Sequence, residues 1–280
     1  MSARILRKVF LFCALTAVVS VVLIFIFVAV KGAPIFATAG FTRLFFSMNW
    51  DPLKGNFGML PFIVGSFIVT LGALVLGAPL AIGTAIFLSE IAHDRIKRFI
   101  RPSVELLAGI PSVIYGFFGI ILLVPLSRML FGGSGFGLAT AWIVLAIMIL
   151  PTIAAISEDA ISAVPPVYRM GSLALGATRW QTIKRVVIPT AMPGIVNAVV
   201  LGMGRAIGET MAVLMVLGNA PSVPKSVASP ASTLTSAIAL DMSYASGVHQ
   251  TALFAMGLIL LAVSMVLITV VRVWSGRVGR

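Results

Sequence analysis

Six long stretches of this chain carry almost no charge, and this pattern limits the folds that are open to it. The first, residues 9–30, has 22 uncharged residues, enough for about 33 Å of helix at about 1.5 Å per residue. The hydrocarbon core of a bilayer is about 30 Å thick, so such a run can cross it. The six predicted spans are residues 9–30, 59–88, 102–125, 137–156, 190–217 and 251–271. Because helices satisfy their own backbone hydrogen bonds in lipid, we predict an all-α, polytopic membrane protein with six transmembrane helices.

Composition supports a membrane environment and excludes a soluble domain. Hydrophobic residues make up 60% of the 280 positions and charged residues 10%, with a mean hydropathy of +1.13. No soluble domain of this size buries so much apolar surface. The net charge of +12 is also typical of nucleic-acid-binding proteins, but the basic residues here lie at the ends of apolar runs. We therefore expect a lipid bilayer, and no nucleic acid, as the surroundings of the chain.

The two sides of the membrane differ in basic residues. Six spans place both termini on one side, and the segments on that side carry 14 basic residues. The opposite side carries five, which are Lys31, Arg43, Lys54, Arg128 and Lys225. Because cytoplasmic loops are enriched in lysine and arginine, we expect both termini to lie in the cytoplasm.

The fifth run contains an arginine and a glutamate, Arg205 and Glu209, where hydrocarbon is expected. A charged residue at the centre of a transmembrane helix costs about 2.5–3.5 kcal/mol on insertion scales, so such residues are candidates for function. Their spacing of four places both on one helical face, where they can pair. Gly204 and Gly208 have the same spacing, which allows another helix to approach closely. The alternative is a structural ion pair that fixes helix packing.

The third run contains a proline at middle depth. Pro111 leaves the carbonyl of Leu107 without its helical donor, which indicates a kink or a break. Ser112 is expected about 15 Å along this span, a depth comparable to that of Arg205. Ser112 and the nearby Tyr115 either face a transport pathway or belong to a packing kink whose polar groups are satisfied by neighbouring helices.

Residues 157–189 form a long polar segment on the side of the termini. The pattern predicts two short helices hinged at Gly176. Thr178 and Gln181 have capping-box spacing, so the second helix is expected to begin near Thr178, and Pro189 is expected to end it before the membrane. The expected apolar stripe consists of Trp180, Ile183 and Val187. Such a helix either lies on the lipid surface or docks in a groove of another protein.

Sequence motifs for ATP binding and catalysis are missing. No lysine follows a glycine, so the chain has no Gly-Lys-Ser/Thr loop for gripping ATP. Gly-Gly-Ser-Gly at 132–135 resembles the serine motif of rhomboid proteases, but its base would have to be His93 or His249 in the loops. These histidines offer no metal-ligand set and are expected to be solvated. An intramembrane enzyme would therefore require a catalytic pair that the sequence does not place.

Several stretches resemble known transport proteins. Gly176, nine further residues and Val-Val-Ile-Pro at 186–189 resemble the cytoplasmic coupling motif of ABC importer permeases, with Met170 in place of the acidic residue that opens the motif. Trp-Asp-Pro at 50–52, Glu-Leu-Leu-Ala-Gly-Ile-Pro-Ser-Val-Ile-Tyr-Gly at 105–116 and Gly-Arg-Ala-Ile-Gly-Glu-Thr-Met-Ala at 204–212 resemble phosphate-specific permease subunits of the PstC type. The resemblance runs from about Trp50 to the last span.

This resemblance implies one type I ABC importer domain over residues 1–280, with the MetI-like permease fold. It implies a transport subunit, not an enzyme, that forms half of a pathway for inorganic phosphate across a prokaryotic cytoplasmic membrane. The implied partners are a second, related permease subunit in a heterodimer, an ATPase dimer at the cytoplasmic face and an extracytoplasmic phosphate-binding protein. ATP and Mg²⁺ are expected on the ATPase, and no cofactor or metal on this chain.

The resemblance also points to site residues. The expected phosphate pathway residues are Arg205, Glu209, Ser112 and Tyr115. The planar fork of arginine matches a phosphate oxyanion, and we predict that Glu209 weakens the site so that the anion can leave. The residues expected to couple to the ATPase are Leu175, Gly176, Ala177, Thr178, Trp180, Gln181 and Pro189. The alternatives are a permease for another oxyanion, the sister subunit of the same system, and an ATP-independent secondary anion carrier.

Overall fold

The computed structural model describes residues 3–278, and most of this range is helical. Its α-helices are α1 (Ala3–Gly32), α2 (Phe41–Phe46), α3 (Leu60–Ile86), α4 (Asp94–Gly109), α5 (Ser112–Phe118), α6 (Val124–Phe131), α7 (Leu138–Ser162), α8 (Pro166–Ala174), α9 (Arg179–Thr182), α10 (Ile188–Ile207), α11 (Met211–Val216), α12 (Leu234–Asp241) and α13 (Gly247–Val278). Five-residue π-helical turns lie at Phe36–Gly40, Phe87–Ile91, Gly119–Leu123 and Ile183–Val187. A small antiparallel hairpin pairs β1 (Trp50–Asp51) with β2 (Asn56–Phe57) around a 3-10 turn, Pro52–Lys54.

Six helical segments of the described chain are long and apolar enough to cross a membrane. They are Ile5–Thr38, Leu60–Ile91, Ser112–Phe131, Leu138–Ser162, Arg179–Ile207 and Gly247–Val273. The number of spans and the all-α class are therefore confirmed. The third and fifth spans have bounds that differ from the prediction, and both differences change the candidate site.

The third span begins later than predicted because a proline interrupts the helix. α4 ends at Gly109, Ile110 is extended with ψ 128°, and α5 begins at Ser112. An extended residue is expected directly before Pro111, since the proline ring crowds the helical conformation of its predecessor. The expected depth of about 15 Å for Ser112 is therefore wrong, because Ser112 is the first residue of the spanning helix.

Arg101 attaches α4 to the end of α7. Its guanidinium lies 3.2 Å from a carboxylate oxygen of Glu105, 3.7 Å from one of the buried Glu158 and 3.4 Å from one of Asp159. The hydrogen bond to Glu105, together with the charges of the other two carboxylates, raises the pKa of Arg101 above its ordinary value. α4 is thus an amphipathic helix held by charge, and not the first half of an apolar span.

The fifth span begins and ends earlier than predicted. It runs without a break from Arg179 to Ile207, so the expectation that Pro189 ends the second short helix before the membrane is wrong. A π-helical turn, Ile183–Val187, lies directly before α10. Its wider ring leaves room for the proline, whose ring otherwise collides with the preceding turn. At the other end, α10 stops at Ile207, and α11 begins only at Met211.

The described chain divides into two compact units. One contains the residues up to Leu60 with Ile238–Leu261, and the other contains Pro61–Ala237 with the residues after Leu261. The single domain over residues 1–280 stays a prediction.

α7 is the most deeply buried helix of the larger unit. Leu145, Ile149 and Ile153 are buried in its core. α10 packs against α7 through glycines, since a Cβ atom at Gly202 would lie 2.5 Å from a side-chain carbon of Ile153. Gly204, two residues further on, has open space, because a Cβ atom there would meet nothing within 4 Å. The close approach of two helices that Gly204 was expected to allow is therefore made by Gly202.

The two glycines give a matched pair for a stability experiment. Gly202→Ala is expected to lower the free energy of unfolding by about 1–3 kcal/mol, because the added methyl group overpacks the contact with Ile153. Gly204→Ala has the same change in helix propensity but no clash, so it is expected to be neutral or stabilising by up to about 1 kcal/mol. Thermal unfolding of the purified protein in detergent distinguishes them, and equal melting temperatures would contradict the packing.

The start of α12 is buried against α3. Leu234 and Ser236 have no exposed surface, and the Leu234 N–H donates to the Ser66 hydroxyl of α3 at 3.0 Å. The Thr233 N–H donates to the Ser236 hydroxyl at 2.9 Å. This hydroxyl-rich sequence can be buried because its polar groups satisfy one another.

An aspartate organises the polar contacts of the smaller unit. Asp241 accepts hydrogen bonds from Trp50 Nε1 at 3.4 Å and from the Tyr244 hydroxyl, and it lies 3.2 Å from His249 Nε2. The hydrogen bond to Asp241 raises the pKa of the Tyr244 hydroxyl above its ordinary value. The prediction of a solvated His249 is wrong, because its side chain is only 15% exposed.

Candidate functional site

The fifth span is interrupted beside its arginine. α10 ends at Ile207, residues 208–210 are not helical, and α11 follows. The Glu209 carboxylate accepts the Ala212 N–H at 3.0 Å, and the Glu209 carbonyl accepts the Thr235 hydroxyl at 2.8 Å. These two bonds fix Glu209 at the start of α11.

The predicted ion pair between Arg205 and Glu209 is not formed. The prediction assumed one continuous helix, but the helix ends two residues before Glu209, so the spacing of four no longer places both side chains on one face. Within residues 3–278, the half-buried guanidinium of Arg205 makes no hydrogen bond or ion pair. An unpaired cation in a spanning helix is unfavourable unless it meets water or an anion.

The backbone around Arg205 leaves space for such a partner. A Cβ atom at Gly204 would meet nothing within 4 Å, and one at Gly208 would meet only the carbonyl of Gly204. Gly208 is itself exposed. An arginine beside this opening has five N–H groups available, which suits paired hydrogen bonds to an oxyanion.

The start of the third span packs against the same helix break. A Cβ atom at Gly116 of α5 would lie 2.7 Å from the sulfur of Met215 and 3.1 Å from Cα of Ala212, both in α11. Tyr115 precedes Gly116 in α5 and therefore lies next to this contact. The same break lies between Arg205, near the end of α10, and Glu209, two residues before α11.

Tyr115 spans the break that Pro111 causes. Its hydroxyl donates to the Leu107 carbonyl at 2.7 Å, which supplies the donor that the proline removes. The side chain is buried, as expected for a packing kink whose polar groups are satisfied. Ser112 is half-buried at the first position of α5. Of the two, Ser112 has the more accessible side chain.

The polar segment between the fourth and fifth spans has the predicted form of two short helices. α8 and α9 are separated by a turn in which Gly176 has φ 82°, a conformation that favours glycine. The predicted capping box is confirmed. The Thr178 N–H donates to the Gln181 side chain at 2.8 Å, and the Gln181 N–H donates to the Thr178 hydroxyl at 3.2 Å. A contact of 2.9 Å between the hydroxyls of Ser172 and Thr182 holds the two helices together.

Part of the predicted apolar stripe of this segment is buried and part is exposed. Ile183 and Val187 are buried, whereas Trp180 is 60% exposed and Leu175 is 91% exposed. Other exposed apolar side chains of the segment are Val167, Tyr168, Met170 and Leu173. We call Leu175, Trp180 and these four side chains the docking surface. Exposed apolar side chains at this density mark a site of interaction.

Sequence reasoning missed one ion pair behind this surface. Arg169 of α8 forms a two-pronged contact with Glu90, with Nη2 at 2.6 Å and Nε at 3.1 Å from the same carboxylate oxygen. The two residues are 79 positions apart in the sequence, so no local pattern indicates the pair.

Comparison with known families decides the class of the protein. Residues 77–280 match the family described as binding-protein-dependent transport system inner membrane component. The chain belongs to this family. An inner membrane component of a transport system agrees with the six helices that are long enough to cross a membrane.

Several individual permeases are similar over nearly the whole chain. A probable ABC transporter permease of Bacillus subtilis, YqgH, is 45% identical over 97% of this chain and 90% of its own length. The phosphate transport system permease protein PstC of Pasteurella multocida is 38% identical over 88% of this chain and 82% of its own length. PstC of Haemophilus influenzae is 40% identical over 78% and 76%.

Solved permease structures share the fold at lower identity. A bacterial ABC transporter that imports the polysaccharide alginate gives a TM-score of 0.66 at 18% identity, covering 99% of this chain and 97% of that one. The MetNI methionine ABC transporter gives a TM-score of 0.55 at 23% identity over 84% of this chain and 98% of that one. The MetI-like permease fold of a type I importer is thereby confirmed.

Proposed function

We propose that this chain is one permease subunit of an ATP-driven importer and forms half of a transmembrane pathway for inorganic phosphate. The observation that carries the proposal is the identity of 38–40% to phosphate permeases over most of the chain. The unpaired guanidinium beside an open helix break supplies chemistry that suits this substrate. A tetrahedral oxyanion accepts two charge-assisted hydrogen bonds from one arginine.

Arg205 is proposed as a stepping site for phosphate, and Glu209 as the residue that keeps this site weak. Conduction requires binding that is favourable enough to admit an ion and weak enough to release it. Because Glu209 is fixed to Ala212 and Thr235, it acts on the anion through its charge and not through a direct pair with Arg205. Ser112 and Tyr115 are proposed to line the same stretch of the pathway.

The docking surface is proposed to bind an ATPase subunit that carries ATP and Mg²⁺. Its helices are held by the hinge at Gly176 and the capping box, so the exposed side chains are presented in a defined geometry. The proposed coupling residues are Leu175, Gly176, Ala177, Thr178, Trp180, Gln181 and Pro189. Met170, 60% exposed, makes this contact apolar at the position where the coupling motif has an acidic residue.

The remaining partners follow from the same proposal. A second, related permease subunit completes the pathway, because the six spans of one chain line only one wall of it. A phosphate-binding protein delivers the anion at the outer face. The bias of basic residues supports an orientation with both termini in the cytoplasm, next to the ATPase dimer.

Reconstitution of the complete complex in liposomes tests the function. With ATP inside and the binding protein outside, phosphate is expected to accumulate, while sulfate at the same concentration is not. Without ATP, uptake is expected to stop. Uptake of sulfate in place of phosphate would contradict the substrate, and phosphate uptake by this chain alone would indicate a secondary carrier.

A further inference from the structure

Arg169 joins the cytoplasmic segment to the ends of two membrane-spanning helices. Its guanidinium holds the carboxylate of Glu90, at the end of the second span, through bonds of 2.6 and 3.1 Å. Nη2 also donates to the Ile161 carbonyl at 2.9 Å, and Nη1 donates to the Val164 carbonyl. Ile161 lies at the end of the fourth span and Val164 just beyond it, where the carbonyls of a helix end carry partial negative charge. One side chain on α8 therefore contacts both spans.

The surroundings of this contact make it difficult to open. The side chains of Arg169 and Glu90 are 23% and 11% exposed. An apolar cluster next to the contact contains buried residues of the second, fourth and fifth spans. Its members are Ala85, Ile161, Val164, Val187, Ala191 and Ile195. Separating a largely buried charge pair leaves each charge unpaired in a medium of low dielectric constant, which is strongly unfavourable. A moving α8 thus carries the ends of both spans with it.

The opposite face of the same helix is exposed and apolar. Val167 and Met170, on either side of Arg169 in the sequence, are 62% and 60% exposed and belong to the docking surface. Arg169 therefore lies between the surface that meets a partner and the helices that form the pathway.

We propose that the Arg169–Glu90 contact transmits movement of the ATPase to the second and fourth spans. The inference rests on the proposed function, because it assumes that an ATPase binds the docking surface. Arg169 is a positioning residue in this account, since it touches neither the substrate nor the nucleotide. An arginine is required because its planar fork reaches a carboxylate and two carbonyls at once, whereas a lysine presents one point charge.

The test compares uptake with ATP hydrolysis in the reconstituted complex. In Arg169→Gln and in Glu90→Gln, phosphate transported per ATP hydrolysed is expected to fall about tenfold, within the range of about 5–150-fold typical of coupling between sites. ATP hydrolysis is expected to persist, because the ATPase still binds. The double variant is expected to be no worse than either single variant, since both remove one shared contact. Arg169→Lys is expected to be intermediate.

Arg98→Gln is the matched control, because Arg98 is exposed in α4 and forms no hydrogen bond or ion pair with the described residues. It removes one positive charge and is expected to leave the uptake-to-hydrolysis ratio unchanged. A merely structural role would reduce uptake and ATP hydrolysis in proportion in every variant, including the milder Glu90→Gln, and that result, or an unchanged ratio, overturns the proposal. Glu90→Gln keeps a hydrogen-bond acceptor and the carbonyl contacts, so it serves if Arg169→Gln fails to assemble. If the wild-type complex imports a different oxyanion, phosphate is rejected as the substrate but the role of Arg169 can still be tested. The number of those anions transported per ATP hydrolysed is then compared among the same variants.

Discussion

Arg205→Gln is expected to reduce ATP-driven phosphate uptake about 100-fold, which corresponds to the loss of about 3 kcal/mol from two charge-assisted hydrogen bonds. The fold is expected to be retained, because the guanidinium makes no hydrogen bond or ion pair within residues 3–278 that the substitution breaks. Arg205→Lys keeps the charge without the fork and is expected to retain part of the activity. Initial uptake rates in liposomes with equal amounts of assembled complex measure the effect.

Glu209→Gln is expected to have the opposite effect on the affinity for phosphate. Glutamine still accepts the Ala212 N–H, so the start of α11 is expected to persist. Removal of the negative charge strengthens the positive site, so phosphate is expected to bind more tightly and leave more slowly. Arg98→Gln controls for the loss of positive charge in Arg205→Gln, and Asp94→Asn, at an exposed position of α4, controls for the loss of negative charge in Glu209→Gln. Normal uptake by both Arg205→Gln and Glu209→Gln would rule out a phosphate site at this break.

Leu175→Asp is expected to separate the ATPase from the permease. Leu175 is 91% exposed, so the substitution does not disturb the core of this chain. In the complex it places a charge in an apolar contact, and at least a tenfold loss of affinity, about 1.4 kcal/mol, is expected. Trp180→Ala is expected to have a similar or larger effect, since exposed tryptophans dominate many interfaces. Co-purification of the ATPase with the tagged permease measures the affinity.

Leu53→Asp is the matched control for the docking surface. Leu53 is 99% exposed in the turn of the β-hairpin, and it receives the same substitution far from residues 166–182 in the sequence. ATPase recovery is expected to equal that of the wild type. Equal recovery with Leu175→Asp and Trp180→Ala would mean that the ATPase binds elsewhere.

Local patterns in the sequence predicted local structure well. The spans follow from the length of the apolar runs, and the capping box follows from the spacing of Thr178 and Gln181. The breaks at Pro111 and Gly208 also had local signals, a residue before proline and a glycine at a helix end. The predicted spans were based on the length of each apolar run. Run length does not show where a helix is interrupted, so the two breaks were missed.

Contacts distant in the sequence were not predictable from one chain. The pair of Arg169 and Glu90 depends on how two spans end side by side, and no spacing rule relates positions 79 residues apart. The burial of Ser236 was not predictable either, because the sequence does not show that its hydroxyl bonds to those of its neighbours or that the Leu234 N–H donates to Ser66. For the candidate site, the sequence identified Arg205 and Glu209 but not their separation by a helix end.

The most direct measurement is the reactivity of a cysteine placed beside Arg205. In a Cys13→Ala background, which removes the one native cysteine, Gly204→Cys places a thiol where the structure has open space. Ala198→Cys, on the same helix but at a fully buried position, is the control. During ATP-driven turnover, a small charged methanethiosulfonate is expected to modify position 204 but not 198, and phosphate is expected to slow the reaction. Equal resistance of both thiols would show that no water-filled route passes Arg205, and would contradict the account.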